Sequence, residues 1–159
     1  MAISSEEFRS ALSRFASGVS IVTTKDAAGK LHGITVSAFC SVSLSPPLVL
    51  ICIEKTAGSH HAFIESGVFA VNILTEQQAE LSEHFAMIHE EKFAGIEFEI
   101  GRLGVPMICG CLSNLECRIR RTADGGDHTI FLGEVEYAQV SDARPLIHFR
   151  GKYRKLKES

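Results

Sequence analysis

The hydrophobic pattern of this chain consists mainly of short runs of β-branched and other apolar residues. Such runs are typical of β-strands, whose successive side chains point to opposite faces. The pattern predicts strands at residues 19–24, 31–37, 48–53, 69–74, 112–122, 129–140 and 147–150. The run at 48–53 is apolar at every position, and we therefore expect both of its faces to be buried.

Helical periodicity is confined to three short segments. The first, over residues 5–16, begins with Ser4 and Glu7 at the spacing of a capping box. Four apolar residues fall on one face of this predicted amphipathic helix: Phe8, Ala11, Leu12 and Phe15. Two further helices are predicted at residues 59–65 and 76–85.

Turn-forming residues separate the predicted strands. Residues 26–29 supply a turn between the first two strands, and the Asp-Gly-Gly-Asp run at 124–127 is a strong hairpin signal. Residues 90–106 have weak periodicity and predict a loop with short extended pieces. The chain has neither a βαβ rhythm nor a Gly-x-Gly-x-x-Gly motif, which disfavours a Rossmann fold. A closed antiparallel barrel with accessory helices fits best, because closure removes exposed sheet edges.

Length and composition indicate one globular domain over residues 1–159. A charged fraction of 22% with 45% hydrophobic residues excludes a disordered chain. The net charge of −3 leaves no electrostatic footprint for nucleic acid. Basic residues do cluster at 150–157, where they form either a solvated tail or an anion contact.

The sequence predicts no membrane association and a cytoplasmic location. The first residues are acidic rather than apolar, so they do not resemble a signal peptide, and the longest apolar run is only strand-sized. Five cysteines form an odd count, which favours reduced thiols. Cys109 and Cys111 lack a second ligand pair at metal spacing, so we expect no metal site there.

Hydroxyl side chains crowd the segment that joins two of the predicted strands. They alternate with apolar or small residues and are Thr35, Ser37, Ser41, Ser43 and Ser45. A surface of this kind suits a flat ligand that is apolar across its rings and polar along its edge. We expect Thr35 and Ser37 to contact the ligand, and Ser43 and Ser45 to serve the turn before Pro46.

Residues 55–59 lie between a predicted strand and a predicted helix. The Lys55 ammonium, the Thr56 and Ser59 hydroxyls and free backbone N–H groups together can hold a phosphate. Ordinary helix capping by Ser59 is the alternative. The hydroxyl-rich segment upstream favours an anionic, ring-bearing ligand.

His128 follows Gly126 and Asp127 in the hairpin. Either it simply begins the next strand, or it orients a cofactor amide or supplies a proton. Four other histidines lack the i, i+4 spacing and third ligand of a zinc-binding helix, so they are predicted to lie on the surface without a metal. They are His60, His61, His84 and His89. The chain has no Gly-x-Ser-x-Gly elbow, which argues against hydrolysis.

Several segments, in their order along the chain, resemble the flavin reductase family. They are Phe8-Arg9, residues 15–19, 33–39, 41–50, 69–74 and 81–86, Gly126-Asp127-His128, and residues 149–153. The resemblance implies a mainly β fold, an antiparallel split β-barrel of the Greek-key type with a few peripheral helices. It also implies a homodimer with flavin near the subunit interface. The short NAD(P)H:flavin oxidoreductase components of two-component monooxygenases are the most similar branch.

The same resemblance implies a set of cofactor-binding residues. Thr35, Val36, Ser37 and Ala38 match the segment along the isoalloxazine, and Gly33 precedes it. The residues that match the ribityl and phosphate segment are Cys52, Ile53, Glu54, Lys55, Thr56 and Ser59. Phe85 matches a residue on the adenosine or ribityl side. Ala57 and Gly58 stand where many relatives have Ser or Thr, so the choice between FMN and FAD stays open.

The nicotinamide side is implied to comprise His128, Arg150, Gly151 and Tyr153, with His128 as the catalytic residue that positions the nicotinamide. Hydride moves from nicotinamide C4 to flavin N5, so the protein needs mainly to stack two rings at reacting distance. Backbone N–H groups can stabilise the negative charge that develops near flavin N1.

The expected function is an NAD(P)H-dependent flavin reductase that uses FAD or FMN and NADH or NADPH. It would supply reduced flavin to a flavin-dependent monooxygenase. Two alternatives remain open at this point. One is a flavin-bound reductase of a corrinoid or ferric complex, and the other is a non-enzymatic flavin electron-transfer module.

Overall fold

The computed structural model describes residues 2–157 and contains three times as much strand as helix, with 46% strand and 15% helix. The helices are α1 (Ser5–Leu12), α2 (His60–Ser66) and α3 (Ala79–Ala86). The first six strands are β1 (Ser17–Gly18), β2 (Ser20–Lys25), β3 (Leu31–Val36), β4 (Phe39–Ser43), β5 (Leu48–Glu54) and β6 (Val68–Ile73). The others are β7 (Phe98–Ile100), β8 (Pro106–Ile108), β9 (Ser113–Gly125), β10 (His128–Val140), β11 (Ile147–Phe149) and β12 (Lys152–Arg154). The predicted mainly β class and every predicted strand are confirmed.

Seven strands form one antiparallel sheet in the order β3-β2-β6-β9-β10-β5-β4. β3 and β4 occupy opposite edges, although only Ser37 and Ala38 separate them in the chain. A linker of that length spans at most about 11 Å, whereas the edges of a flat seven-stranded sheet lie about 29 Å apart. The sheet is therefore rolled so that β3 and β4 approach each other, and the Cys52 amide donates to the Ala38 carbonyl (3.2 Å) where the β4–β5 ladder begins.

The rolled sheet encloses the main hydrophobic core. Its largest fully buried side chains include Phe63, Phe69 and Phe131, with Ile51 and Val71 packed in the same cluster. Burial of this apolar surface is the principal stabilising contribution to the fold. No helix in the part of the chain from residue 2 to 157 is long and apolar enough to cross a membrane.

α1 is shorter and less buried than its sequence predicts. The predicted capping box is present, since the Glu7 amide donates to Ser4 Oγ (3.2 Å) and the Ser4 amide donates to Glu7 Oε2 (2.9 Å). The helix ends at Leu12 rather than residue 16, and none of its residues is buried. Phe8, Leu12 and Phe15 remain 55%, 53% and 76% exposed. The apolar face of the predicted amphipathic helix therefore lies outside the core of the single chain, which the other elements complete.

α3 also differs from its predicted bounds of 76–85. The Glu76 amide donates to the Arg144 carbonyl (2.8 Å), and Gln78 Oε1 accepts from the Thr75 amide (3.0 Å). These contacts hold residues 75–78 in a turn, so that the helix begins only at Ala79.

β5 contradicts the expectation of two buried faces. Val49, Ile51 and Ile53 are buried, whereas Leu48 and Leu50 between them are only half-buried. The strand belongs to an antiparallel sheet that covers the core with one face, so its other face stays partly open.

The β9–β10 hairpin is confirmed where the sequence predicts it. Gly126 and Asp127 form its two-residue turn, and Gly126 has a φ of +79°, a conformation that favours glycine. In the neighbouring β5–β10 ladder, His128 lies opposite Glu54. The sheet thus places the hairpin beside the turn that follows β5.

Candidate functional site

A cleft of about 560 Å³ opens between β3, the turn after β5 and the loop after α3. Its lining residues are 30–34, Glu54, 56–59, 86–90 and Lys92. The volume lies in the range of small-molecule pockets, which is about 300–1,000 Å³. Four of the sequence-predicted flavin residues line it: Gly33, Glu54, Thr56 and Ser59.

Gly33 is required where β3 passes over Phe85. A Cβ atom at position 33 would lie 2.6 Å from the Phe85 ring and 3.4 Å from Thr23 Cγ2. The ring cannot give way easily, because it is fully buried and packs edge-on against Phe93 with their centroids 5.2 Å apart. The absence of a side chain at Gly33 therefore allows β3 to pack directly on the Phe85 ring behind the cleft wall.

Phe85 occupies a different place from the one the resemblance implies. Its side chain has 0% exposure, so it presents no ring surface to a ligand in this structure. It supports Gly33 from behind the cleft wall. Val36 and Ile53 are similarly buried in the main core, so that neither side chain presents a surface to a ligand.

Lys92 is a cleft residue that the sequence analysis does not identify. Its Nζ donates to the carbonyls of Gly33 (3.0 Å) and Phe85 (2.9 Å). Burial lowers the pKa of the Lys92 ammonium. Among residues 2–157 no carboxylate pairs with it, so the cleft wall carries an uncompensated cation. The only signal in the sequence is a lone lysine after two glutamates in a loop.

The turn after β5 brings several predicted phosphate contacts together. Thr56 Oγ1 donates to Glu54 Oε1 (3.0 Å), while the Lys55 ammonium forms an ion pair with Asp124 of the hairpin. Ser59 makes no side-chain capping hydrogen bond to α2. Ser59 lines the cleft, and the capping role considered for it is absent from the structure.

His128 begins β10 and lies beside the turn that follows β5. Its Nδ1 is 2.7 Å from Asp127 Oδ1, and the hydrogen bond from the His128 ring holds the pKa of the Asp127 carboxyl below its usual value. Asp127 therefore stays anionic and orients the imidazole. The pairing of His128 with Glu54 confirms that the fold unites the hairpin histidine with the predicted phosphate turn.

The Thr35 hydroxyl is engaged within the protein. Its Oγ1 donates to the Ser82 carbonyl (2.6 Å), and Ser82 Oγ accepts from Tyr153 Oη (2.8 Å). This chain of contacts ties β3 to α3 and β12. Ser37 and Ala38, at the bend before β4, are exposed and remain available to a ligand.

Arg150 and Gly151 lie against α1 rather than beside His128. The Arg150 amide donates to the Ser13 carbonyl (2.9 Å), and Arg150 has a φ of +52°, which is uncommon for a residue with a side chain. The residues share a shallow surface cleft with Arg9 and Arg14. Within one chain, Arg150 and Gly151 are therefore not in the same place as His128, although all three are predicted to bind the nicotinamide nucleotide.

The cysteines and the remaining histidines offer no nucleophile at the cleft. All five thiols are free, and burial raises the pKa of Cys111 to about 11 and that of Cys117 to about 12. Protonated thiols are poor nucleophiles. The histidines are more engaged than predicted: His60 Nε2 lies 2.9 Å from Thr129 Oγ1, and His84 Nε2 lies 2.7 Å from the Lys92 carbonyl.

A family model described as a flavin reductase like domain matches residues 12–157 of this chain. The reductase subunit HsaB of a flavin-dependent monooxygenase from Rhodococcus jostii is 39% identical over 153 residues, which cover 96% of this chain and 78% of that protein. The FMN reductase (NADH) SmoA of Agrobacterium fabrum is 42% identical over 149 residues, covering 94% of this chain and 84% of that protein.

A solved structure shows the same fold. It is the NADH:FAD oxidoreductase SgcE6 of Streptomyces globisporus in complex with NAD and FAD fragments. It superimposes with a TM-score of 0.91 at 35% identity and covers 99% of this chain and 97% of that chain.

Proposed function

The chain belongs to the flavin reductase-like family, and on that premise we propose that it is an NAD(P)H:flavin oxidoreductase that supplies reduced flavin to a partner monooxygenase. The observation that carries the proposal is the cleft beside Gly33, in which predicted flavin residues from distant parts of the chain meet. The similarity to reductases of both FMN and FAD leaves room for either flavin.

The residues of the cleft suit a flavin. Gly33 lets β3 lie directly on the buried Phe85 ring, which fixes the cleft wall, and Lys92 supplies a cation for a phosphate. The Ser59 hydroxyl would add a hydrogen bond to the phosphate, as would the Thr56 hydroxyl once it turns away from Glu54, and Ser37 would reach the edge of the ring. When bound, the flavin supplies the acceptor of the nicotinamide hydride.

The nicotinamide nucleotide would be held by two sets of residues. His128, oriented by Asp127, would position the nicotinamide amide beside the flavin cleft. Arg150 lies with Arg9 and Arg14 on the surface next to α1, where three guanidinium groups would attract the nucleotide's phosphates.

A homodimer would cover the apolar face of α1. An eight-residue helix without any buried residue is marginally stable by itself, so contacts to a second copy would explain its apolar face. Leu12→Lys with Phe15→Glu should therefore shift the sedimentation coefficient from dimer to monomer at micromolar concentration. Val140→Glu, at an exposed position of β10, is the control. A wild-type monomer would contradict the dimer.

The activity is tested by mixing the purified protein with NADH or NADPH and free FMN or FAD, and following nicotinamide absorbance. We expect oxidation that depends on added flavin and turns over many times. Lack of flavin-dependent oxidation with both nucleotides would refute the proposal. A tightly held flavin with substoichiometric turnover would indicate an electron-transfer module instead.

Replacement of His128 by alanine should raise the KM for the nicotinamide nucleotide about tenfold, which corresponds to one lost hydrogen bond. The dissociation constant of the flavin should stay unchanged, because Gly33, Thr56 and Lys92 are untouched. Steady-state kinetics and a flavin titration measure the two quantities. Loss of flavin binding in this variant would show that His128 contacts the flavin rather than the nicotinamide nucleotide.

A further inference from the structure

A cluster of three potential metal ligands lies beside the cleft and has no role in the proposed hydride transfer. Asp26 follows β2, His32 is on β3 and His61 is on α2. One ligand atom from each side chain lies within 4.8 Å of the corresponding atoms of the other two. Two imidazoles and a carboxylate therefore converge from three separate elements.

The Asp26 carboxylate is held in place by its own turn. The amides of Ala28 (3.0 Å) and Lys30 (2.9 Å) donate to Asp26 Oδ1. Oδ2 is thereby directed at His32 Nε2, 2.9 Å away. Carboxylates that ligate metals are typically oriented by hydrogen bonds to their second oxygen in this way.

The three side chains differ in their exposure to solvent. The side chains of Asp26 and His32 are only 14% and 13% exposed, while His61 is at the surface. The rings of His32 and His61 are nearly perpendicular, with an interplanar angle of 87° and centroids 5.1 Å apart. The recessed pair forms the base of a site that an ion reaches from solvent past His61.

We propose that Asp26, His32 and His61 bind a divalent transition-metal ion of the Zn²⁺ class, with water completing the coordination. Imidazole nitrogen with one carboxylate oxygen suits Zn²⁺ and Co²⁺, whereas Mg²⁺ and Ca²⁺ prefer oxygen ligands alone. Binding displaces the proton between His32 Nε2 and Asp26 Oδ2 to solvent. The ion would join the β2–β3 turn to α2 and brace the Leu31–Gly33 wall of the cleft.

The test uses the untagged full chain, stripped of metals and kept reduced, without flavin. Calorimetric titration with Zn²⁺ should show one site, and Co²⁺ should produce the visible absorption of a nitrogen- and oxygen-ligated ion. His61→Gln should weaken Zn²⁺ binding at least about tenfold and remove the Co²⁺ spectrum. Because His61 is exposed, this variant should remain folded, which circular dichroism checks.

His60→Gln is the matched control. His60 is the adjacent residue, but it faces Thr129 and Phe131, away from the cluster. It should bind Zn²⁺ as the wild type does. Equal binding by wild type and His61→Gln would overturn the proposal, as would binding that disappears only when Cys109 and Cys111 are both replaced by serine, or the absence of any stoichiometric binding.

Discussion

Replacement of Phe85 by alanine is expected to lower the free energy of unfolding by about 3–5 kcal/mol, the usual cost of removing a fully buried phenylalanine. The ring packs under Gly33 and against Phe93, so its loss leaves a cavity behind the cleft wall. Urea denaturation of the flavin-free protein measures the change. Val140→Ala, at an 84% exposed position, should change it by no more than about 0.5 kcal/mol.

Phe85→Leu separates packing from ligand contact. Leucine retains most of the buried volume, so this variant should fold and bind flavin nearly as the wild type does. A folded Phe85→Leu protein with strongly reduced flavin affinity would instead support the direct contact that the resemblance implies. A destabilisation below about 1 kcal/mol in Phe85→Ala would contradict the packing role.

Replacement of Lys92 by methionine is expected to weaken flavin binding about 10- to 100-fold, because a hydrogen bond to a charged group contributes about 1.5–3 kcal/mol. The ammonium is held at the cleft wall by hydrogen bonds to the Gly33 and Phe85 carbonyls. No carboxylate among the described residues neutralises its charge. Fluorescence titration with FMN and FAD measures the effect. Lys152→Met, on exposed β12, should bind as the wild type does, and an unchanged affinity in Lys92→Met would remove this residue from the site.

The lowered pKa of Lys92 adds a pH dependence with a definite sign. Burial favours the neutral amine, so flavin affinity should begin to fall with rising pH below the range of an ordinary lysine. The unfolded chain binds more protons than the folded one in that range, so this group's contribution to stability rises with pH there. Lys92→Arg keeps its charge, and its flavin affinity should not show the alkaline decline. A decline of equal size in Lys92→Arg would contradict this assignment.

The strands could be predicted because their signals are local. The β9–β10 hairpin is confirmed with its turn at Gly126 and Asp127, since glycine and aspartate there have the conformational preferences of a tight turn. The bounds of α1 and α3 are less predictable, because residues distant in the sequence contact the ends of these helices. The Arg150 amide donates to the Ser13 carbonyl just after α1, and the Glu76 amide donates to the Arg144 carbonyl just before α3. The two-sided burial expected for β5 failed because apolarity does not reveal which face a sheet covers.

The site was predictable only in part. Residues 55–59 are identified from their sequence context, and Gly33 and Glu54 from the family resemblance; the fold brings Glu54 beside His128. Lys92 was missed because it lies in a loop without periodicity. The Asp26, His32 and His61 cluster was missed because a search for ligands at one helix spacing cannot detect three elements that meet in space.

The strands, the hairpin and the resemblance to flavin reductases can all be recognised from the sequence, because each depends on neighbouring residues or on their order along the chain. Which side chains face the cleft depends instead on how the sheet folds in three dimensions. The tertiary structure buries the Phe85 ring behind Gly33, engages the Thr35 hydroxyl with Ser82, and exposes the apolar face of α1. These outcomes depend on the rolling of a seven-stranded sheet whose edge strands are adjacent in sequence, and no local pattern encodes that long-range pairing.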